Sequence, residues 1–116
     1  MKKILAILIA IMLMTVSKSV FASDFTAVSP SGHTLQYTII NNNSVSVYSN
    51  GFPSGALVIP DSVTYKGYTF AVTSISDAAF ENCSGLTSVT IGNSVTFIGS
   101  YAFSGCSGLT TPNTYW

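Results

Sequence analysis

The sequence predicts a mainly β fold, a short solenoid of parallel strands and short helical turns preceded by a β-hairpin. Three observations carry this. Residues 72–87 recur at 95–110 with an offset of 23, and ten of the sixteen aligned positions are identical. Val72, Ile75, Ala79, Phe80, Cys83 and Leu86 return as Val95, Ile98, Ala102, Phe103, Cys106 and Leu109. Apolar residues in register at a fixed period of about 20 to 30 residues mark stacked coils. Second, only 7% of the chain is charged while Ser, Thr, Asn, Val and Ile abound, a composition that favours strands and turns. Third, two alternating segments ahead of the repeats flank a run of turn-forming residues, which reads as a hairpin.

Residues 1–22 are expected to be a secretory signal peptide. Lys2 and Lys3 give a positive start, 4–14 is an unbroken apolar run, and Val20 and Ala22 place small residues where a signal peptidase reads. The run is too short to cross a bilayer, which takes about 20 apolar residues. Cleavage after Ala22 leaves one small exported domain, secreted or at the cell surface, with no membrane span. That mature part keeps Lys66 as its one cation against Asp24, Asp61, Asp77 and Glu81, a net charge of −3. Such a balance cannot neutralise a phosphate backbone, so nucleic acid is excluded as a partner. It also lacks the basic cluster that holds proteins on anionic membranes.

In residues 23–55, an edge strand at 25–28 is followed by a hairpin of 34–40 and 45–48 around the turn Asn41-Asn42-Asn43-Ser44, then a linker carrying Gly51, Pro53 and Gly55. Repeats occupy 56–110, and 111–116 is a tail. Ile59-Pro60-Asp61-Ser62-Val63 resembles Ile91-Gly92-Asn93-Ser94-Val95 at an offset of 32. The nine additional residues centre on Lys66-Gly67, the expected tip of an inserted hairpin. A regular unit is read as a strand at 87–91, a turn at Gly92-Asn93, a second strand at 95–98 and a short helical turn at 100–105. Asp77 is expected to cap the corresponding helical turn of its own unit.

The run Leu-Thr-Ser-Val-Thr-Ile, the Val-Thr-x-Ile segment and the Ala-Phe-x-x-Cys-x-x-Leu element together resemble the BspA-type leucine-rich repeat of bacterial surface proteins. The resemblance covers 56–110, and residues 27–37 are similar to the lead-in segment of such proteins. It implies a right-handed coil with a parallel sheet and a role in adhesion or surface interaction. Gly92 departs from the family pattern, which usually has Pro there, as at Pro60. The last unit lacks a Val-x-Ile strand after Leu109-Thr110-Thr111-Pro112.

Cys83 and Cys106 share one repeat position. Neighbouring coils lie about 4.8 Å apart, within disulfide range, but equivalent side chains in a ladder point the same way. Two buried free thiols are therefore favoured over a bridge, and the resemblance likewise places this Cys inside the coil as an apolar filler. The one histidine, His33, reads as a solvated turn residue. The four acids are scattered, no glycine-rich phosphate loop is present, and two Cys with one distant His do not make a metal site. An enzyme is not expected, nor a cofactor or metal.

The candidate binding surface rests on positions that differ between units. Ser74 becomes Phe97, Ala78 becomes Tyr101, and Tyr65, Tyr68 and Phe70 crowd the inserted hairpin. Exposed aromatic clusters mark contact sites, although such residues also cover cores. Thr87, Ser88 and Thr90 flank inward-facing Val89 and Ile91 and offer an uncharged hydroxyl face to protein or glycan. The expected function is non-catalytic binding at or outside the cell surface, with self-association through the C-terminal edge of the array. The alternative is a truncated or decayed repeat protein without activity of its own, with an extracellular enzyme third.

Overall fold

The computed structural model describes residues 23–109. The expected signal peptide (1–22), Thr110 and the tail (111–116) lie outside the described residues. Among the described residues, eight strands run in chain order as β1 (Phe25–Val28), β2 (Thr34–Asn41), β3 (Ser44–Ser49), β4 (Gly55–Ile59), β5 (Ser62–Tyr65), β6 (Tyr68–Ile75), β7 (Leu86–Ile91) and β8 (Phe97–Ile98).

The alternating 34–41 and 44–49 segments form the expected antiparallel hairpin, with β1 added at its edge. Asn41 closes the turn with its own side chain. Its Oδ1 accepts the Asn43 N–H at 2.8 Å and the Ser44 hydroxyl at 3.0 Å, the local side-chain-to-backbone bonding that makes Asn a turn former. The inserted hairpin is also present. Tyr65 pairs with Tyr68 across Lys66 (φ 51°) and Gly67 (φ 83°). Positive φ at both central residues gives the two-residue turn whose twist matches its flanking strands.

Beyond the hairpins the chain winds in coils. β3, β6 and β8 stack in parallel on one side, with Val47, Ile75 and Ile98 at a single register position. β4 and β7 stack in parallel on the other, pairing Leu57 with Val89 and Ile59 with Ile91. The first coil therefore runs β3–β4, the second β6–β7, and the third begins at β8. The hairpin strand β3 is itself the first rung, so the N-terminal segment and the repeats share one sheet.

Several details differ from the sequence reading. The segments between the strands of each coil are successive turns, not short helical turns. In the third coil Ala102, Ser104 and Cys106 donate their N–H groups to the carbonyls of Gly99, Tyr101 and Phe103. Tyr101 (φ 61°) and Gly105 (φ 77°) interrupt any helix between them, as Ala78 (φ 55°) and Asn82 (φ 63°) do one coil earlier. Left-handed residues cannot propagate a right-handed helix. They instead turn N–H groups toward the next coil, where Ala78, Phe80 and Asn82 donate to Ser100, Ala102 and Ser104 at 2.7–2.8 Å. The second strand of the regular unit also shrinks to Phe97–Ile98, because Val95 closes a turn onto the Gly92 carbonyl.

Asp77 does not cap its own unit. Its Oδ1 accepts the N–H of Ser100 at 2.9 Å, one coil further on, and Asp61 likewise accepts from Asn93 at 2.6 Å. This accounts for Gly92 where Pro60 stands one unit earlier. A Cβ on Gly92 would lie 2.7 Å from Asp61 Oδ1 and 2.8 Å from the Pro60 carbonyl carbon, so a side chain would break the approach that the carboxylate bridges.

The core runs continuously through both parts. Leu35, Tyr37, Val45, Val47, Leu57, Ile59, Val72, Ile75, Phe80, Cys83 and Leu86 are fully buried. Phe25 on β1 stacks on Tyr37 (5.2 Å) and on Tyr65 (4.3 Å, planes within 4°), and Phe70 leans against it at 6.2 Å. The outermost strands β1 and β5 thus meet over one aromatic cluster. His33, expected to be solvated, latches the β1–β2 turn to the first coil instead. Its Nε2–H donates to the Ser54 carbonyl (2.7 Å) and its Nδ1 accepts from the Ser31 hydroxyl (2.8 Å), whose oxygen receives the Val58 N–H (3.0 Å).

Candidate binding surface

The structure divides the sequence-predicted site residues among three places. Tyr65, Tyr68 and Phe70 come together. They line a cleft of about 650 Å³ between the tips of the two hairpins, β2–β3 on one side and β5–β6 on the other. Their roles within it differ. Phe70 is 6% exposed and belongs to the core, and Tyr65 is half-buried against Phe25. Only Tyr68, 68% exposed, offers its ring to solvent. Of the two readings the sequence left open, contact surface and core cover, Phe70 and Tyr65 take the second, packing on Phe25; Tyr68 shares their face of the sheet but stands next to the turn at the hairpin tip.

Thr87, Ser88 and Thr90 lie exposed on β7, with Val89 and Ile91 packed toward the core between them. For Ser88 and Thr90 this is the predicted alternation of a strand with one wet face; Thr87 is exposed as the extra residue at a register shift between Leu86 and Ser88. They are remote in the topology from the hairpin cleft, since β7 belongs to the two-stranded sheet with β4. Phe97 and Tyr101 both lie on the third coil. Phe97 is 58% exposed and continues an outward column above Ser74 and Ser46. Tyr101, 72% exposed, borders a depression at the far end of the third coil beside Phe103, Cys106 and Leu109.

The hairpin cleft also contains residues that the sequence reading placed only in the strands and turns of the hairpins. Ile39, 39% exposed, gives it an apolar wall, and Asn41, Asn42 and Asn43 form one rim. Asn41 is committed to its turn, whereas the Asn42 and Asn43 amides have no hydrogen-bond partner among the described residues. Lys66 stands on the opposite rim with Nζ 5.3 Å above the centre of the Tyr65 ring, a distance at which the ring face attracts the ammonium. Among the described residues, no carboxylate lines the cleft. The signal that could have located it was the presence of two turn motifs; that their tips converge is a tertiary fact.

Cys83 and Cys106 are buried free thiols, as the ladder argument favoured. Burial pushes the Cys83 thiol up to about 11, with Cys106 adding to the rise. Burial also raises Cys106, partly offset by a hydrogen bond from the Cys83 main chain. The Cys106 thiol donates to the Phe80 carbonyl at 3.1 Å. Protonated, inward-facing thiols of this kind pack as small apolar groups. Among the described residues, no three His, Cys, Asp or Glu side chains gather as a metal site.

Comparison with known proteins agrees with this architecture. The model of the BspA type leucine rich repeat region (6 copies) matches residues 57–114. The chain is similar to a leucine rich cell surface protein of Faecalibacterium prausnitzii A2-165, with 32% identity and a TM-score of 0.60 over 76% of this chain and 23% of that one. It is also similar to a leucine-rich repeat protein of Bacteroides ovatus ATCC 8483, with 33% identity and a TM-score of 0.56 over 65% of this chain and 20% of that one. The chain spans about a fifth to a quarter of the length of these two structures. No curated protein matches it.

Proposed function

Because this chain belongs to the BspA-type leucine-rich repeat family, we propose that it is a non-catalytic binding module, secreted or at the cell surface, that engages its partner through the cleft between the hairpin tips. The observation that carries this is the pairing in one concavity of an exposed aromatic ring, Tyr68, with the unpartnered amides of Asn42 and Asn43. A repeat coil holds such a surface rigidly but brings no reactive group of its own. Binding sites combine an apolar wall with a few polar groups that fix orientation, and Ile39 with the two amides has that composition. The related Faecalibacterium protein is described as a cell surface protein, which supports a surface location. Export after cleavage at Ala22 is part of the same proposal.

The test is binding of the fluorescently labelled protein to whole bacterial and epithelial cells by flow cytometry. Saturable binding that Tyr68→Ala reduces is expected. Equal binding by that variant would remove the cleft from the reading, and no saturable binding to either cell type would remove the adhesive function. Tyr68→Ala is a fair probe because so exposed a side chain should change stability by no more than about 0.5 kcal/mol.

We further propose self-association at the end of the third coil. Exposed Tyr101 borders the depression there with half-buried Leu109, exposed Phe97 lies on the same coil at β8, and exposed coil edges invite another chain. Sedimentation velocity across a concentration series tests it: a mass rising toward the dimer is expected, and a Tyr101→Ser variant should stay closer to the monomer. A concentration-independent monomer would refute it.

A further inference from the structure

We propose that the hairpin cleft takes a neutral pyranose unit of a glycan, an inference that rests on the cleft being the binding surface. The groups lining it select this chemistry. A pyranose has one face of C–H bonds, slightly positive, and a rim of hydroxyl groups that both donate and accept. The negative face of an aromatic ring suits the first, and the Tyr68 ring is open to receive it. Each primary amide offers one carbonyl acceptor and two N–H donors, which match a pair of adjacent hydroxyls. Asn42 and Asn43 hold two such amides on one rim, neither engaged elsewhere among the described residues. Lys66, held above Tyr65, adds donors from the facing rim.

Other ligand classes fit the same groups less well. Phosphate or sulfate would call for more positive charge than the one cation of residues 23–109, in a region of net charge −3. An extended peptide is normally captured by a free strand edge. The cleft is bordered instead by hairpin tips, and the Asn43 carbonyl already accepts the Ala71 N–H at 2.8 Å. A purely apolar chain would strand the two amides without partners. A neutral sugar leaves no group in the cleft mismatched.

The test uses the folded protein with cellobiose, maltose, lactose and N,N′-diacetylchitobiose as probes, followed by amide chemical shifts in ¹⁵N-labelled material. Weak binding, with Kd on the order of 1 mM, should move the resonances of residues 39–43 and 65–70 while leaving those of β7 in place. Tyr68→Ala should weaken it by roughly tenfold, the upper scale of one lost aromatic contact. Phe97→Ala, a change to an exposed ring elsewhere, should leave it intact. Shifts with none of the four disaccharides, or shifts that survive Tyr68→Ala, would overturn the inference, as would tighter binding of glucuronate than of any neutral sugar. Cell binding that depends on Tyr68 but resists competition by every sugar that was tried would overturn the glycan inference alone and leave the binding module standing. Loss of both would refute the two together.

Discussion

The ring of Phe80 lies flat against that of Phe103, with planes within 6° and centroids 5.5 Å apart. These residues are one repeat of 23 apart in sequence, and the turns that carry them are joined by the Phe80 N–H donating to the Ala102 carbonyl at 2.8 Å. The stack joins the second coil to the third inside the core, where Phe80 and Phe103 are all but fully buried.

Phe103→Ala should therefore cost about 3–5 kcal/mol, the usual range for truncating a buried Phe. Urea denaturation monitored by circular dichroism measures it. For a domain of this size that loss is a large share of total stability, so a partly unfolded variant at room temperature is the expected extreme. A midpoint equal to that of the parent would mean that the two rings do not share a core.

Gly99→Ala should be more damaging than its single methyl suggests. A Cβ there would meet the Asp77 carboxylate and main chain, so accommodating it means pushing the two coils apart and lengthening the Asp77–Ser100 bond. Asp77→Ala removes the same bond without the clash and should cost about 1 kcal/mol. Thermal melts of both variants check the order, Gly99→Ala being the less stable.

The thiols predict a pH dependence. Cys83 is raised from 9.0 to about 11 by burial and then by Cys106, so between those values the folded chain holds a proton that the unfolded chain releases. The unfolded state is then favoured as pH rises, and the contribution, intact below about pH 9, is lost as pH passes through about 11. Denaturation midpoints should fall across that window and fall less in a Cys83→Ala variant. In the native state neither thiol should react with a maleimide at neutral pH, and both should react after denaturation without reductant.

The repeating part of the fold was legible because identical residues in register mean identical environments. Ile75 with Ile98, Phe80 with Phe103, and Cys83 with Cys106 all occupy the inward positions that their spacing required. The Lys66-Gly67 tip was legible from turn chemistry. What the sequence concealed depends on contacts between units. The direction in which Asp77 reaches is set by the coil stacked against it, and the left-handed backbone at Ala78 and Tyr101 breaks a helix that side-chain spacing alone suggests. The candidate site was half legible for the same reason. Aromatic residues crowding one hairpin were visible, but Phe25, 40 residues before Tyr65 and 45 before Phe70, decides that both pack inward. The convergence of Asn42 and Asn43 on Tyr68 follows only once β3 pairs with β6.

That pairing gives the last prediction, which concerns where a foldable unit begins. The repeat match starts at Leu57, and on sequence alone 56–110 separates from the hairpin that precedes it. In the structure β3 is the parallel neighbour of β6 over four register pairs, from Ser44 with Ala71 to Val47 with Ile75. The Ser76 N–H also donates to the Val47 carbonyl, and the Ser49 N–H to the Ala79 carbonyl. Without β3, one side of β6 would expose its hydrogen-bonding groups, and Phe70, Val72 and Ile75 would lose the cover of Val45, Val47 and Phe25. A coil array needs a covered end and about three stacked units to be stable, and removing the hairpin takes away the cover and the first unit together. A chain starting at Ala56 should therefore show no cooperative thermal transition, whereas one starting at Ser23 should melt as a single unit. Within the latter, Ser46→Pro places a residue without an N–H in a strand paired on both sides and should cost about 3 kcal/mol or more. A cooperative melt from the shorter chain would show that the hairpin is an appendage and not the first rung.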